Sequence, residues 1–183
     1  MRQPLLLARI LAVISSTSFA ANAPAAKPAT PPFAITSTGF LDQGTLPVLY
    51  TCDGNDISPE FAWTGAPAKT QTFVMIASDE DAPGGTFYHW VVYNIPKSVA
   101  ELPQAMEKAP AGIQIGKNSY NKLSYNGPCP PKGSAHDYTF TLYALDSKLN
   151  VPKGADAKTV LNAMQHHIVD QVKIIAQFSR WLT

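Results

Sequence analysis

Hydrophobic and polar positions along this chain alternate in short runs. Residues 33–37 read as a first strand, 39–49 as a turn plus strand, 51–59 as an irregular loop, and 61–63 as a short strand closed by Gly65-Ala66-Pro67. FVMIA at 73–77 is continuous enough for a buried strand. Trp90, Val91, Val92, Tyr93 and Ile95 form a second apolar run, β-branched and aromatic enough for burial on both faces. Over 137–145 the alternation is strict, with Tyr138, Phe140 and Leu142 on one face and Thr139 and Thr141 on the other. One segment reads as a long helix. From Ala157 to about Arg180 the apolar residues Leu161, Met164, Ile168, Val172, Ile175 and Phe178 (or Ser179) recur at three- to four-residue spacing, with Asp156 placed as N-cap. The expectation is a mainly β domain with one C-terminal amphipathic helix packed on a sheet.

Composition narrows the class. With 183 residues, 45% of them hydrophobic, the chain can build one complete core but not two. Sixteen prolines and eleven glycines favour strands and turns over a helical bundle. A net charge of +1, without long runs of Lys or Arg, lacks the electrostatic footprint of a nucleic-acid binder. At the N-terminus, Arg2 and Arg9, an apolar stretch and then small residues read as an export signal over 1–23, with Ala21-Asn22-Ala23 as cleavage site. An Ala/Pro-rich connector follows over 24–32, and a single domain is expected over 33–183. No other segment approaches the ~18 apolar residues of a membrane span. The expected location is periplasmic or secreted. In an exported chain the two cysteines, Cys52 and Cys129, suggest one disulfide, with a pair of buried free thiols as the alternative.

Two stretches carry chemistry. In DEDAPGGTFYHWVVYNI (79–95), Asp79 and Asp81 flank Glu80 in a loop that Pro83, Gly84 and Gly85 force to turn, and His89 stands where the strand begins. In YNGPCPPKGSAH (125–136), a Pro/Gly loop again leads to a histidine and a strand. Carboxylates and imidazoles at strand ends beside glycine turns form sites more often than core. Tyr138 lies one same-face step from His136. His166 and His167 fall on the expected helix, where one exposed and one packed or hydrogen-bonded histidine is the plain reading. No close metal-ligand spacing, no cofactor motif and no nucleophile elbow is present.

These residues resemble a known family. Asp79-Glu80-Asp81-Ala82-Pro83, His89-Trp90 with Asn94, Gly127-Pro128-Cys129-Pro130-Pro131-Lys132-Gly133 with His136 and Tyr138, and Leu142-Tyr143-Ala144-Leu145-Asp146 are similar to the phosphatidylethanolamine-binding proteins, in detail to their bacterial Raf-kinase-inhibitor-like branch. The resemblance runs in order from Phe33 to Arg180. It implies a large antiparallel sheet packed on a smaller one, with peripheral helices. It also implies a small pocket for phosphate-type anions or phosphorylated headgroups, built from Asp79, Asp81, His89, Pro130, Gly133, His136 and Tyr138, with Phe87 where mammalian members carry a tryptophan. Glu80 replaces the usual proline and is expected to add charge near the mouth.

Ionised aspartates repel phosphate, so such a pocket needs compensation. An Asp can hold His89 or His136 as imidazolium, share a proton with the ligand, or pair with a ligand ammonium. The expected function is an exported binding protein without catalytic turnover, cofactor or metal. The alternatives are a protein-interaction modulator acting through its surface and, third, an acid/base or metal-assisted hydrolase on the same groups.

Overall fold

Eight consecutive buried residues, Thr72–Asp79, make β4 the strand around which the fold is layered. In the computed structural model, which describes residues 31–181, Phe73, Met75 and Ala77 face one apolar cluster while Val74 and Ile76 face a second. Only a central strand covered on both sides meets that pattern. β4 pairs antiparallel with β5 (Phe87–Pro96) on one side and with β8 (Ala135–Leu145) on the other. β9 (Ile168–Ser179) extends the sheet beyond β8. The six-stranded order is completed by the two-residue strands β2 (Gly44–Thr45) and β7 (Gln114–Ile115) at its edges. A three-stranded sheet of β1 (Ala34–Thr36), β3 (Phe61–Thr64) and β6 (Glu101–Leu102) packs over one face. Phe61, Trp63 and Leu102 from that sheet meet Phe73, Met75, Phe140 and Trp90 in the larger cluster. Each large side chain fully withdrawn from water there contributes about 1.5–3 kcal/mol.

The expected strands are present, and the alternation over β8 is as read, with Tyr138, Phe140 and Leu142 buried in the main core. The region 39–49 holds less strand than expected: only β2, followed by a single 3-10 turn, Val48–Tyr50. The long C-terminal helix is not formed. Helix α1 spans Ala157–Met164, capped by Asp156, whose carboxylate accepts the Thr159 N–H at 2.8 Å, and the chain then turns into the twelve-residue β9. The apolar positions of this segment satisfy two periods at once. Val172, Ile174, Ala176 and Phe178 share one face at spacing two, and the β-branched run IVDQVKII favours the strand. Pairing along nearly all of β8 decides between them. His167, in the intervening turn, approaches Asp146 through Nδ1 at 2.9 Å, and His166 is exposed.

Cys52 and Cys129 are joined by a disulfide that closes a loop of 77 residues. Among the described residues no helix is long and apolar enough to cross a membrane. The expected export signal over 1–23, and residues 24–30 of the connector, lie outside the described residues.

Candidate functional site: a histidine-lined pocket at the end of the central strand

β4 ends on Asp79, and the site is built outward from its carboxylate. Asp79 pairs across the sheet with Phe87 on β5 and Tyr138 on β8, so the three side chains emerge on the same face as the main core. One carboxylate oxygen, Oδ1, accepts the Asp81 N–H at 2.9 Å and fixes the turn out of the strand. The other, Oδ2, accepts from His136 Nδ1 at 2.8 Å. Both members of this hydrogen-bonded pair are buried, at 4% and 6% exposure. Asp81 braces the same loop from the far side, its carboxylate accepting the Asp137 N–H at 2.9 Å.

His89 arrives by a different route. Ala77 pairs with Trp90 and Ser78 with Tyr88, so His89 is the extra residue of a β-bulge and has no partner on β4. A bulge of this kind lets two successive side chains leave on one face. Trp90 enters the main core while His89 turns into the site. Its Nδ1 lies 2.7 Å from the Asn126 carbonyl oxygen, and the Asn126 N–H returns a bond to the His89 carbonyl at 3.1 Å. Asn126 is itself immobilised. Its side-chain oxygen accepts from Asn118 (2.8 Å) and Ser124 (3.2 Å), and its side-chain NH2 donates to Asp56 (3.3 Å). Asn118 also accepts the N–H groups of Tyr120 and Lys122, each at 3.0 Å. Burial pushes the His89 imidazole below its ordinary pKa. The Asn126 carbonyl, and then the carboxylates of Asp79 and Asp56, oppose that shift without reversing it.

Tyr138 forms the floor between the two imidazoles, its ring 5.4 Å from His89 and 6.3 Å from His136. Burial, and then the charge of Asp79, push the phenol pKa far up, so the hydroxyl stays protonated. Although Asp79 lies close enough to be felt, the approach falls short of hydrogen-bond geometry, and Tyr138 Oη is buried without a partner.

Above this floor is a cavity of about 170 Å³, lined by Asp79, Phe87, His89, Pro130 and His136 together with Ala82, Pro83, Tyr120, Cys129 and Pro131. Its size leaves room for a small molecule of a few heavy atoms. Five of the eight residues expected at the site therefore share one cavity wall, and Tyr138 lies beneath it. Asp81 shapes the loop instead. Gly133 opens onto a neighbouring cleft beside Arg180 and Trp181, and its N–H is taken by the Arg180 carbonyl at 2.7 Å. Glu80, the first residue after β4, lies on the other face of the sheet with Thr139, Thr141 and Tyr143, away from the mouth. Tyr120, whose ring packs edge-on against Phe87 at 4.9 Å, was not singled out by sequence reasoning, nor was the Asn118–Asn126 scaffold. An asparagine among turn residues carries no mark of such a role.

The sequence from 36 to 179 matches the family model described as phosphatidylethanolamine-binding protein. The chain belongs to that family. A UPF0098 protein of Methanothermobacter thermautotrophicus is 41% identical over 144 residues, covering 77% of this chain and 95% of the relative. A UPF0098 protein of Aquifex aeolicus is 43% identical over 148 residues, covering 79% and 86%. The crystal structure of Escherichia coli YbcL, described as a new member of the mammalian PEBP family, matches with a TM-score of 0.77 at 29% identity, covering 81% of this chain and 99% of YbcL.

In this phosphatidylethanolamine-binding protein family member the pocket wall is stapled covalently. Cys129 lines the cavity and is bonded to Cys52, whose N–H donates to the Pro128 carbonyl at 3.1 Å. Asp56 on the Cys52 side accepts the Gly127 N–H, and Asp53 forms a two-pronged ion pair with Arg180, 2.8 Å at its shortest. Pro130 and Pro131 fix φ in advance, so little entropy remains to be lost when a ligand enters. Among the described residues no three His, Cys, Asp or Glu side chains converge as metal ligands. The cavity wall thus brings together a carboxylate and two imidazoles, with the Tyr138 ring packed beside them.

Proposed function

We infer that this chain is an exported binding protein whose pocket holds a small phosphate-type anion or phosphorylated headgroup, without catalytic turnover. The observation that carries this reading is the Asp79–His136 pair set in the wall of a small cavity. With Nδ1 committed to the Asp79 carboxylate, His136 keeps its other ring nitrogen for a ligand in the cavity that it lines. Nothing in the cavity resembles an activated nucleophile, which favours binding over hydrolysis. Export is supported by the N-terminal signal pattern and by the disulfide, which persists in oxidising compartments.

The test is a histidine-resolved NMR titration of the protein with phosphoethanolamine. The signals of His89 and His136 are expected to move with saturation while those of His166 and His167 stay in place. Silence at both pocket histidines up to millimolar ligand removes the pocket from consideration and puts a protein-interaction surface first.

A further inference from the structure

We propose that Asn126–Gly127 is a latent deamidation site, shut by the native fold and opened when the Cys52–Cys129 disulfide is reduced. The inference goes beyond the pocket reading and holds whatever the cavity binds. Its starting point is local sequence. Asparagine followed by glycine is the dipeptide most prone to lose ammonia, because no side chain on the second residue hinders its nitrogen, and this chain carries it once. Packing forces the glycine. A Cβ at 127 would stand 2.1 Å from the Tyr50 carbonyl oxygen and 2.8 Å from Thr51 Cα, both of them backbone atoms, so no larger residue fits. The asparagine is fixed as firmly, by its side-chain bonds to Asn118, Ser124 and Asp56.

The reaction is internal. The Gly127 nitrogen attacks Asn126 Cγ, an N–C bond forms, the Cγ–Nδ2 bond breaks, and ammonia leaves with the proton that Gly127 gave up. Water then opens the succinimide ring at either carbonyl, leaving aspartate or isoaspartate. In the fold each reacting group is held elsewhere. The Gly127 N–H donates to Asp56, and the Asn126 NH2 donates to the same carboxylate at 3.3 Å. The Asn126 side-chain oxygen accepts from Asn118 at 2.8 Å and from Ser124 at 3.2 Å. To react, the side chain must swing onto the Gly127 nitrogen, and that nitrogen must give up its bonded proton. Both changes break these hydrogen bonds together.

The disulfide keeps this lock closed. It ties the loop that carries Asp56 to the segment that carries Gly127, and both cysteines are exposed, so a small dithiol reaches them. Reduction moves two electrons and two protons from the dithiol to the cystine, giving two thiols and an oxidised dithiol. Without the covalent link, the two segments part more often by local opening. Deamidation then makes the opening permanent. The new carboxylate at 126 faces Asp56, like charges where a donor met an acceptor. In the isoaspartate form the backbone is lengthened at the residue whose carbonyl oxygen lies 2.7 Å from His89 Nδ1.

The test compares three samples of the full chain incubated in warm, mildly alkaline buffer: oxidised and folded, reduced with its thiols alkylated, and unfolded in urea. Aspartate and isoaspartate at 126 are read by mass spectrometry of the tryptic peptide 123–132. The oxidised protein is expected to deamidate at least about tenfold more slowly than the unfolded chain, with the reduced protein severalfold faster than the oxidised one. A further variant, Asp56→Gly, keeps the disulfide, suits the positive φ of 57° at that position, and removes the acceptor for both nitrogens. It is expected to deamidate about tenfold faster than the oxidised wild type. Equal rates in the folded and unfolded samples overturn the proposal, and so does a reduced protein that deamidates no faster than the oxidised one.

Discussion

His89 and His136 enter the pocket from the two strands that flank β4, and each offers Nδ1 to an oxygen at nearly the same distance, 2.7 and 2.8 Å. The oxygens differ. On the β8 side the acceptor is the Asp79 carboxylate. On the β5 side it is the Asn126 carbonyl, a dipole too weak to offset burial, and the ring is held neutral. Two histidines with similar sequence surroundings, each near the start of a strand that follows a glycine-containing loop, thus enter one cavity backed by different acceptors. What separates them is the group behind the ring.

That contrast can be tested by loosening one side at a time. The largest effect is expected from the disulfide, because Cys129 sits between Asn126 and the proline wall. Replacing both cysteines by serine should cost about 4 kcal/mol in urea unfolding by the chain-entropy model, and move the His89 resonances more than those of His136. Next is Asp79→Ala, which strips the acceptor from the buried His136 and from the Asp81 N–H. A loss of about 3 kcal/mol is expected, with the His89 environment less affected, and both are read from denaturation and NMR of the same variant. Asn118→Ala should disturb the opposite side, costing about 2 kcal/mol through the unpaired N–H groups of Tyr120 and Lys122 and a freed Asn126.

A pH series separates the two rings more gently. A histidine whose folded pKa is lowered contributes stability in full above the ordinary value of 6.5, and that contribution is lost as pH falls toward the folded value, since the unfolded chain binds the proton first. The unfolding midpoint of the wild type should therefore fall as pH drops below 6.5 more steeply than that of His89→Gln. Equal slopes would mean His89 is not held neutral. The smallest change in stability is expected for Tyr138→Phe, within about 1 kcal/mol in urea unfolding, since it deletes a hydroxyl that has no partner.

Much of this arrangement was legible in advance. The alternation of Tyr138, Phe140 and Leu142, the two-faced burial of the run from Trp90, the Asp156 cap and the carboxylate and histidine loops all act over a few residues, and local pattern reports local physics. Family resemblance added that these loops meet. Elements decided over long range were misread or missed. Ile168 to Phe178 fits both a helical and a strand period, and its length of helix was overestimated. Gly133 and Glu80 belong to the right loops but face elsewhere. The bulge that turns His89 inward is a mismatch between two strands, invisible in either alone.

The sequence by itself therefore determined the mainly β class, the central strands and the chemical types gathered at their ends, because apolar period, turn residues and caps are written in neighbouring positions. Only the tertiary structure decided that the last long segment is a strand, since β8 supplies hydrogen-bond partners along its length. It alone decided also that one pocket histidine backs onto a carboxylate and the other onto a carbonyl, since each acceptor comes from a residue tens of positions away, brought near only by packing of the whole sheet.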